Sequence, residues 1–311
     1  MSRIVIALGG NALGNTPEEQ QEKVAYAAKS IVSFVKEGHE VIIGHGNGPQ
    51  VGMINNAMDF SSKNGGKTPA MPFPECGAMS QGYIGYHLQN AICREMANQG
   101  IDKNVLTVVT QVKVSKNDKA FENPTKPIGS FVSEQEAKEI MLAKPDQTFK
   151  EDAGRGWRRV VPSPLPIDIV EKRAILELVK NGNIVIACGG GGIPVVKEND
   201  GDYKGVAAVI DKDFASEKLA ELVDADYLFI LTAVDRVCIN FNKPDQKELK
   251  EITVEEAEKL ASEGHFAPGS MLPKVVACKT FASSKEGRKA IIVSLEKANL
   301  AMQGESGTII K

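Results

Sequence analysis

Three glycine-rich turns in this chain could bind an anion through backbone amides. Gly9-Gly10-Asn11-Ala12 and Gly44-His45-Gly46-Asn47-Gly48-Pro49 each follow a short apolar run, and Gly189-Gly190-Gly191-Gly192 follows a third. Glycine has no Cβ to hold a ligand away from N–H groups. The carboxyl end of a strand feeding a helix adds orphan donors and a positive dipole. One such turn is most often a chain reversal, but two after successive N-terminal strands favour phosphate. Asn11 and Asn47 tolerate unusual backbone angles and carry amides that can donate to an anion. Two familiar nucleotide motifs are excluded. Val51 stands where a dinucleotide fingerprint needs its third glycine, and Ser61 replaces the first glycine of a phosphate loop ending Gly66-Lys67-Thr68.

Two lysines sit where helix electrostatics disfavours them. Lys212 precedes Asp213, which reads as a helix N-cap, and Lys274 follows Pro273 at the start of another helix. A cation there opposes the dipole by about 0.3–1 kcal/mol. Two such lysines beside glycine turns point to a shared anion that offsets the cost. Lys126, in Pro124-Thr125-Lys126-Pro127-Ile128-Gly129, is a third candidate, balanced against a plain solvated loop lysine. Asp213 has a bland role as cap, worth about 1 kcal/mol, and a sharper one as the holder of two lysines. Asp235 lies beyond a strand's carboxyl end, where it could contact a nucleotide sugar or close a turn. Histidine pairs at metal spacing, a zinc cluster and a serine nucleophile elbow are missing from the sequence. His45 reads more simply as structural than as a substrate contact. Arg155, Arg158 and Arg159 around Trp157 suit a lid or salt bridges better than RNA stacking.

The elements that must position these residues follow from periodicity. Apolar runs Ile4–Leu8, Val41–Ile43, Val105–Val112, Ile184–Ala187, Tyr227–Leu231 and Ala290–Val293 read as strands, and Val206–Ile210 as a weaker one. Between them fall helical patterns. One opens with the cap Thr16-Pro17-Glu18-Glu19 and stops at Gly38, a second opens at Pro49, and a third spans Met79 to Ala97. Others cover Ile169–Val179, begin near Asp213, follow the capping box at Thr253, and start near Pro273. Alternation of this kind predicts an α/β fold, a three-layer αβα sandwich around a mostly parallel twisted sheet. Residues 115–166 break the rhythm with a proline-rich, mixed-charge stretch carrying one helix capped by Ser133 and Glu136. That stretch is expected to be an inserted subdomain or lid.

Composition bounds the function. The 311 residues carry 37 basic and 40 acidic side chains, a net charge of −3, which excludes a polycationic nucleic-acid binder. With 42% hydrophobic and 25% charged residues the chain is globular. An odd five cysteines without C-x-x-C argue against a disulfide framework and for a reducing cytosol. No apolar stretch approaches the ~20 residues of a membrane span. The expectation is a cytoplasmic protein with no membrane or nucleic-acid partner.

Taken together, the motifs resemble the amino acid kinase family, and within it the branch acting on carbamate. The resemblance rests on Ala7–Ala12, His45–Gly52, Asn123–Gly129, Glu151–Arg158, Cys188–Val195, Val209–Ser216 and Phe266–Lys274. It implies reversible phosphoryl transfer from carbamoyl phosphate to MgADP, giving carbamate and MgATP, in arginine or related carbamoyl metabolism. It also implies a homodimer and a protruding subdomain within an N-terminal lobe, 1–166, that binds the phosphoryl partner. A nucleotide lobe would cover 167–311. By the same resemblance Gly9, Gly10, Asn11, Gly46, Asn47 and Gly48 face the phosphoryl and carbamoyl groups. Lys126, Lys212 and Lys274 neutralise the moving oxygens, with Asp213 organising them. Thr232, Asp235 and Met271 border the nucleotide, and Mg²⁺ is held mainly by phosphates and water rather than by the protein. A kinase of another small acid on the same fold, or a nucleotide sensor without turnover, are the alternatives.

Overall fold

The computed structural model describes residues 1–9, 13–14, 16–145, 147–152, 154–198 and 201–311. The first half runs β1 (Arg3–Leu8), α1 (Pro17–Lys36), β2 (Glu40–His45), α2 (Gly48–Lys63), α3 (Phe73–Asn98), β3 (Val105–Thr107), β4 (Gln111–Val114), β5 (Lys126–Val132), α4 (Glu134–Ala143), β6 (Thr148–Glu151), β7 (Trp157–Val161) and β8 (Pro166–Ile169). The second runs α5 (Lys172–Lys180), β9 (Ile184–Ile186), β10 (Ile193–Lys197), β11 (Tyr203–Gly205), α6 (Lys212–Leu222), β12 (Tyr227–Thr232), β13 (Val237–Ile239), β14 (Lys247–Leu249), β15 (Glu251–Ile252), α7 (Val254–Ser262), α8 (Met271–Ser283), β16 (Lys289–Ser294), α9 (Ala298–Met302) and β17 (Thr308–Ile310).

Eight strands form the central sheet in the order β15-β17-β16-β12-β1-β2-β9-β3, and every neighbouring pair is parallel except β16 with β17. Its inner strands read as unbroken apolar runs because both faces are covered. Side chains alternate between those faces. From β1, Ile4, Ile6 and Leu8 join one core with α1 and α3, while Val5 and Ala7 join the other with α5, α6 and α8. These are the expected three layers.

The inserted stretch builds its own antiparallel sheet, β5-β7-β6, with α4 beside it, and a further sheet, β11-β10-β4-β8, connects it to the core. Several expected boundaries move. The run 105–112 splits between two sheets. At the break, Gln81 of α3 bonds both backbone groups of Thr110, at 2.8 and 3.1 Å. The helix expected from Ile169 begins at Lys172, because Pro166–Ile169 pairs with β4 instead. Val206–Ile210 is not a strand, and the Val209 N–H bonds Pro162 O across to the inserted stretch. The third helix starts at Phe73, six residues early, behind a proline cap. No helix among the described residues is long and apolar enough to cross a membrane.

Candidate active site

Strand register sets the site. Leu8 lies level with His45 on one side and Leu231 on the other, so Gly9, Gly46 and Thr232 lie side by side at this edge. This carboxyl edge is where open α/β sheets bind ligands. Gly46 acts by closeness rather than by donation, since its own N–H bonds Leu8 O at 3.2 Å. A Cβ on Gly46 would lie 3.2 Å from Lys212 Cδ, and one on Gly9 would lie 2.9 Å from Leu231 O. Gly46 therefore clears the path along which the Lys212 side chain runs, and Gly9 allows the close approach of the β12 backbone. Gly48 opens α2 and lines the same space, its N–H lying ahead of the first intrahelical bond, Val51 N–H to Asn47 O, while Pro49 brings no N–H. Gly10 and Asn11 lie outside the described residues.

Asn47 is buried, and its amide nitrogen donates to Ser80 Oγ at 2.9 Å. Ser80 in turn donates to Gly77 O at 2.6 Å. Motif spacing gave no sign of Ser80, because it comes from the middle of α3. Gly190, at φ +67°, packs directly on the Asn47 amide and leaves no room for a side chain. The third glycine turn thus backs the second one. His45 is fully buried. Its Nδ1–H donates to Gly46 O at 2.8 Å, while Nε2 meets no partner and packs against Gly189. Burial pushes its pKa down to about 4 against the helping carbonyl, so the ring is neutral and structural.

The lysines converge. Lys212 and Lys274 bond opposite oxygens of Asp213, at 2.6 and 2.7 Å. Asp213 is only 3% exposed, so the carboxylate is wholly given to this task. The helix cap is a different residue: Asp211, not Asp213, is the N-cap of α6, and its Oδ1 accepts the Asp213 N–H at 2.9 Å. Asp213 lies inside the first turn, which turns its carboxylate toward α8. The other Asp211 oxygen takes Lys126 Nζ at 2.7 Å. An aspartate with a helical donor two residues later was the signal for Asp211, but the second aspartate of Asp-Lys-Asp competed for it.

Three ammonium groups against two carboxylates leave the cluster with an excess positive charge. Burial acts to discharge Lys212, yet Asp213 and then Asp211 outweigh it and hold its pKa above the ordinary lysine range. For Lys274 the balance reverses. Burial and the Lys212 charge pull its pKa down despite the two aspartates. Burial would raise the Asp211 carboxyl, but Lys126 and Lys212 hold it down at about 2.

Two cavities meet at this cluster. One of about 450 Å³ is lined by Gly9, Tyr26, Thr232, Asp235, Lys212 and Lys274. The other, about 230 Å³, is lined by Gly46, Asn47, Gly48 and Lys126, and again by Lys212 and Lys274. The lysine pair is the wall they share. Asp235 lines the larger one while bonded to Ser294 Oγ at 2.6 Å and Lys297 Nζ at 2.5 Å. Met271 opens α8 one turn before Lys274 and packs into the core, away from the lining of both cavities. A still larger cavity, about 1080 Å³, lies apart from these groups, between α2 and the inserted sheet. Among its charges, Asp59 pairs with Lys63 and with Lys144, the latter at 3.3 Å. Among the described residues no three His, Cys, Asp or Glu side chains come together to hold a metal.

A parallel sheet with amide turns and half-buried lysines at its carboxyl edge defines a protein built to handle phosphoryl groups. The chain belongs to the amino acid kinase family, whose model matches residues 2–294. It is 58% identical over 313 residues to the carbamate kinase of Clostridium perfringens, with 99% of both chains covered. It is 55% identical over 311 residues, the whole of both chains, to that of Staphylococcus haemolyticus. Its structure superposes on the carbamate kinase from Giardia lamblia bound to AMP-PNP with a TM-score of 0.92 and 46% identity, over 99% of this chain and 98% of that one.

Proposed function

We propose that the chain is a carbamate kinase, transferring a phosphoryl group reversibly between carbamoyl phosphate and MgADP. The observation that carries this reading is the shared wall of Lys212 and Lys274 between a nucleotide-sized cavity and a much smaller one. In-line transfer needs donor and acceptor on opposite sides of the moving group, with charge stabilisation around its equator. Carbamoyl phosphate enters the 230 Å³ cavity, its phosphoryl group against Gly46–Gly48 and the lysines. ADP occupies the 450 Å³ cavity, with Thr232 and Asp235 beside it. Gly9, Gly10 and Asn11 border the transferred group, and Met271 steadies the segment that brings Lys274.

The nucleophile is a terminal oxygen of ADP, already ionised, so no general base is needed. It attacks phosphorus as the bond to the carbamate oxygen breaks, and carbamate leaves with that electron pair. Lys212 and Lys274 meet the charge spread over the equatorial oxygens, held on course by Asp213. Lys126 approaches from the insertion under the direction of Asp211. Magnesium enters as part of the nucleotide substrate. The site's carboxylates are already engaged by lysines, so the ion draws on phosphate oxygens and water. In this reading residues 1–166 supply the carbamoyl side and 167–311 most of the nucleotide side. The five free cysteines suit a cytoplasmic setting, and the working form is a homodimer, which sedimentation would check.

The test is ATP formation from ADP, Mg²⁺ and carbamoyl phosphate, followed by a panel of acetate, glutamate and uridine monophosphate with ATP. Product with carbamoyl phosphate alone is expected. No ATP above the uncatalysed level rejects the reading, and equal turnover of another acceptor reassigns the substrate.

A further inference from the structure

The position of Lys126 depends on a strand that belongs to the insertion, so something must set the insertion against the phosphoryl turn. We infer that Gly52 is the positioning residue. It lies on α2, four residues after Gly48, and faces Gly129 of β5. A Cβ at position 52 would lie 2.5 Å from the Gly129 nitrogen and 2.6 Å from its Cα, both backbone atoms that cannot swing aside. Gly129 itself sits at φ +71°, a conformation that keeps it glycine. Arg158 Nε donates to Gly129 O at 3.1 Å, so the glycine is clamped to β7 while its backbone rests on the helix. Val51 and Ile128, the residues before the two glycines, are buried together in one small apolar cluster.

The contact acts on Lys126 by leverage. Lys126 begins the strand on which Gly129 sits three residues later, and the residues between pair regularly with β7, Pro127 with Val160 and Ile128 with Arg159, up to the irregularity that follows Ile128. An alanine at 52 needs β5 to retreat by about 1 Å to reach ordinary van der Waals separation. A displacement of that size is enough to cost a rate ~100-fold when a catalytic group rides on it. Gly52 touches neither cavity wall that bears the lysine pair.

This inference rests on the phosphoryl-transfer reading, and the test separates the two. ATP formation from carbamoyl phosphate and ADP is measured for wild type, Gly52→Ala, Lys126→Ala and the double variant, with ADP affinity and thermal stability alongside. Gly82→Ala, a helical glycine on α3 with open space around it, is the control. We expect Gly52→Ala to lower kcat 10–100-fold with ADP affinity kept within twofold. In the Lys126→Ala background the same change should cost less than threefold, because the residue acts through Lys126. Should Gly52→Ala not fold, Arg158→Gln loosens the same glycine from its other side and should show the same dependence on Lys126. Unchanged kcat in the single variant, or an equal loss with and without Lys126, overturns the inference while leaving the reading intact. An inactive wild type overturns both.

Discussion

Lys126 and Asp211 meet at 2.7 Å although 85 positions separate them. One comes from the insertion and the other caps a helix of the central fold. Through that pair, and the Asp211 link to the Asp213 N–H, the third lysine is tied to the other two.

Asp211→Asn should therefore lower kcat by about 10-fold while leaving the fold in place. Asparagine caps helices as well as aspartate does, but the lysine loses its charged partner, an interaction worth ~1.5–3 kcal/mol. Initial rates together with thermal melts check it: the rate should fall and the midpoint should stay within a few degrees.

The same carboxylate should shape acid stability. Its folded pKa, about 2, lies below the unfolded value of ~3.9. The stabilisation is therefore fully present above about pH 4 and is lost as pH falls through 2. The expected contribution is on the order of 2 kcal/mol. Urea unfolding between pH 2 and 5 should show wild type losing more stability over this interval than Asp211→Asn.

Lys212→Ala should cost turnover 100-fold or more, by comparison with other charge-stabilising cations in phosphoryl transfer. Lys212→Arg should recover only part of it. The planar guanidinium cannot reproduce the compact ammonium that Lys212 presents to Asp213 at 2.6 Å. Single-turnover kinetics with saturating MgADP would separate this from weakened binding.

Lys274 gives a pH signature in the alkaline direction. Its pKa is lowered by burial and by Lys212, so the ammonium is lost below the ordinary lysine range of ~10.4. The alkaline limb of kcat against pH should fall accordingly. In Lys274→Arg that limb should move upward, since guanidinium stays charged. A limb unmoved by the substitution would assign it to another group.

Local chemistry carried far in this chain. Unbroken apolar strands, caps such as Thr16 and Thr253, and the second and third glycine turns were legible because each depends on neighbours within a few residues. The central sheet's layers and the lysines at helix starts followed from them. The boundaries that moved did so through distant partners. Gln81 breaks the run at Thr110, β4 recruits Pro166–Ile169, and Asp211 displaces Asp213 as cap. Ser80 behind Asn47 and Gly52 under Gly129 have no signature of their own, since a serine or glycine in a helix looks the same wherever it faces. Which residue types could manage a phosphoryl group was decided by composition and spacing along the chain. Which of them share one charge cluster, and which cavity each lysine borders, was decided only when register and packing closed gaps of dozens of residues, because electrostatic coupling depends on distance in space and not on separation in sequence.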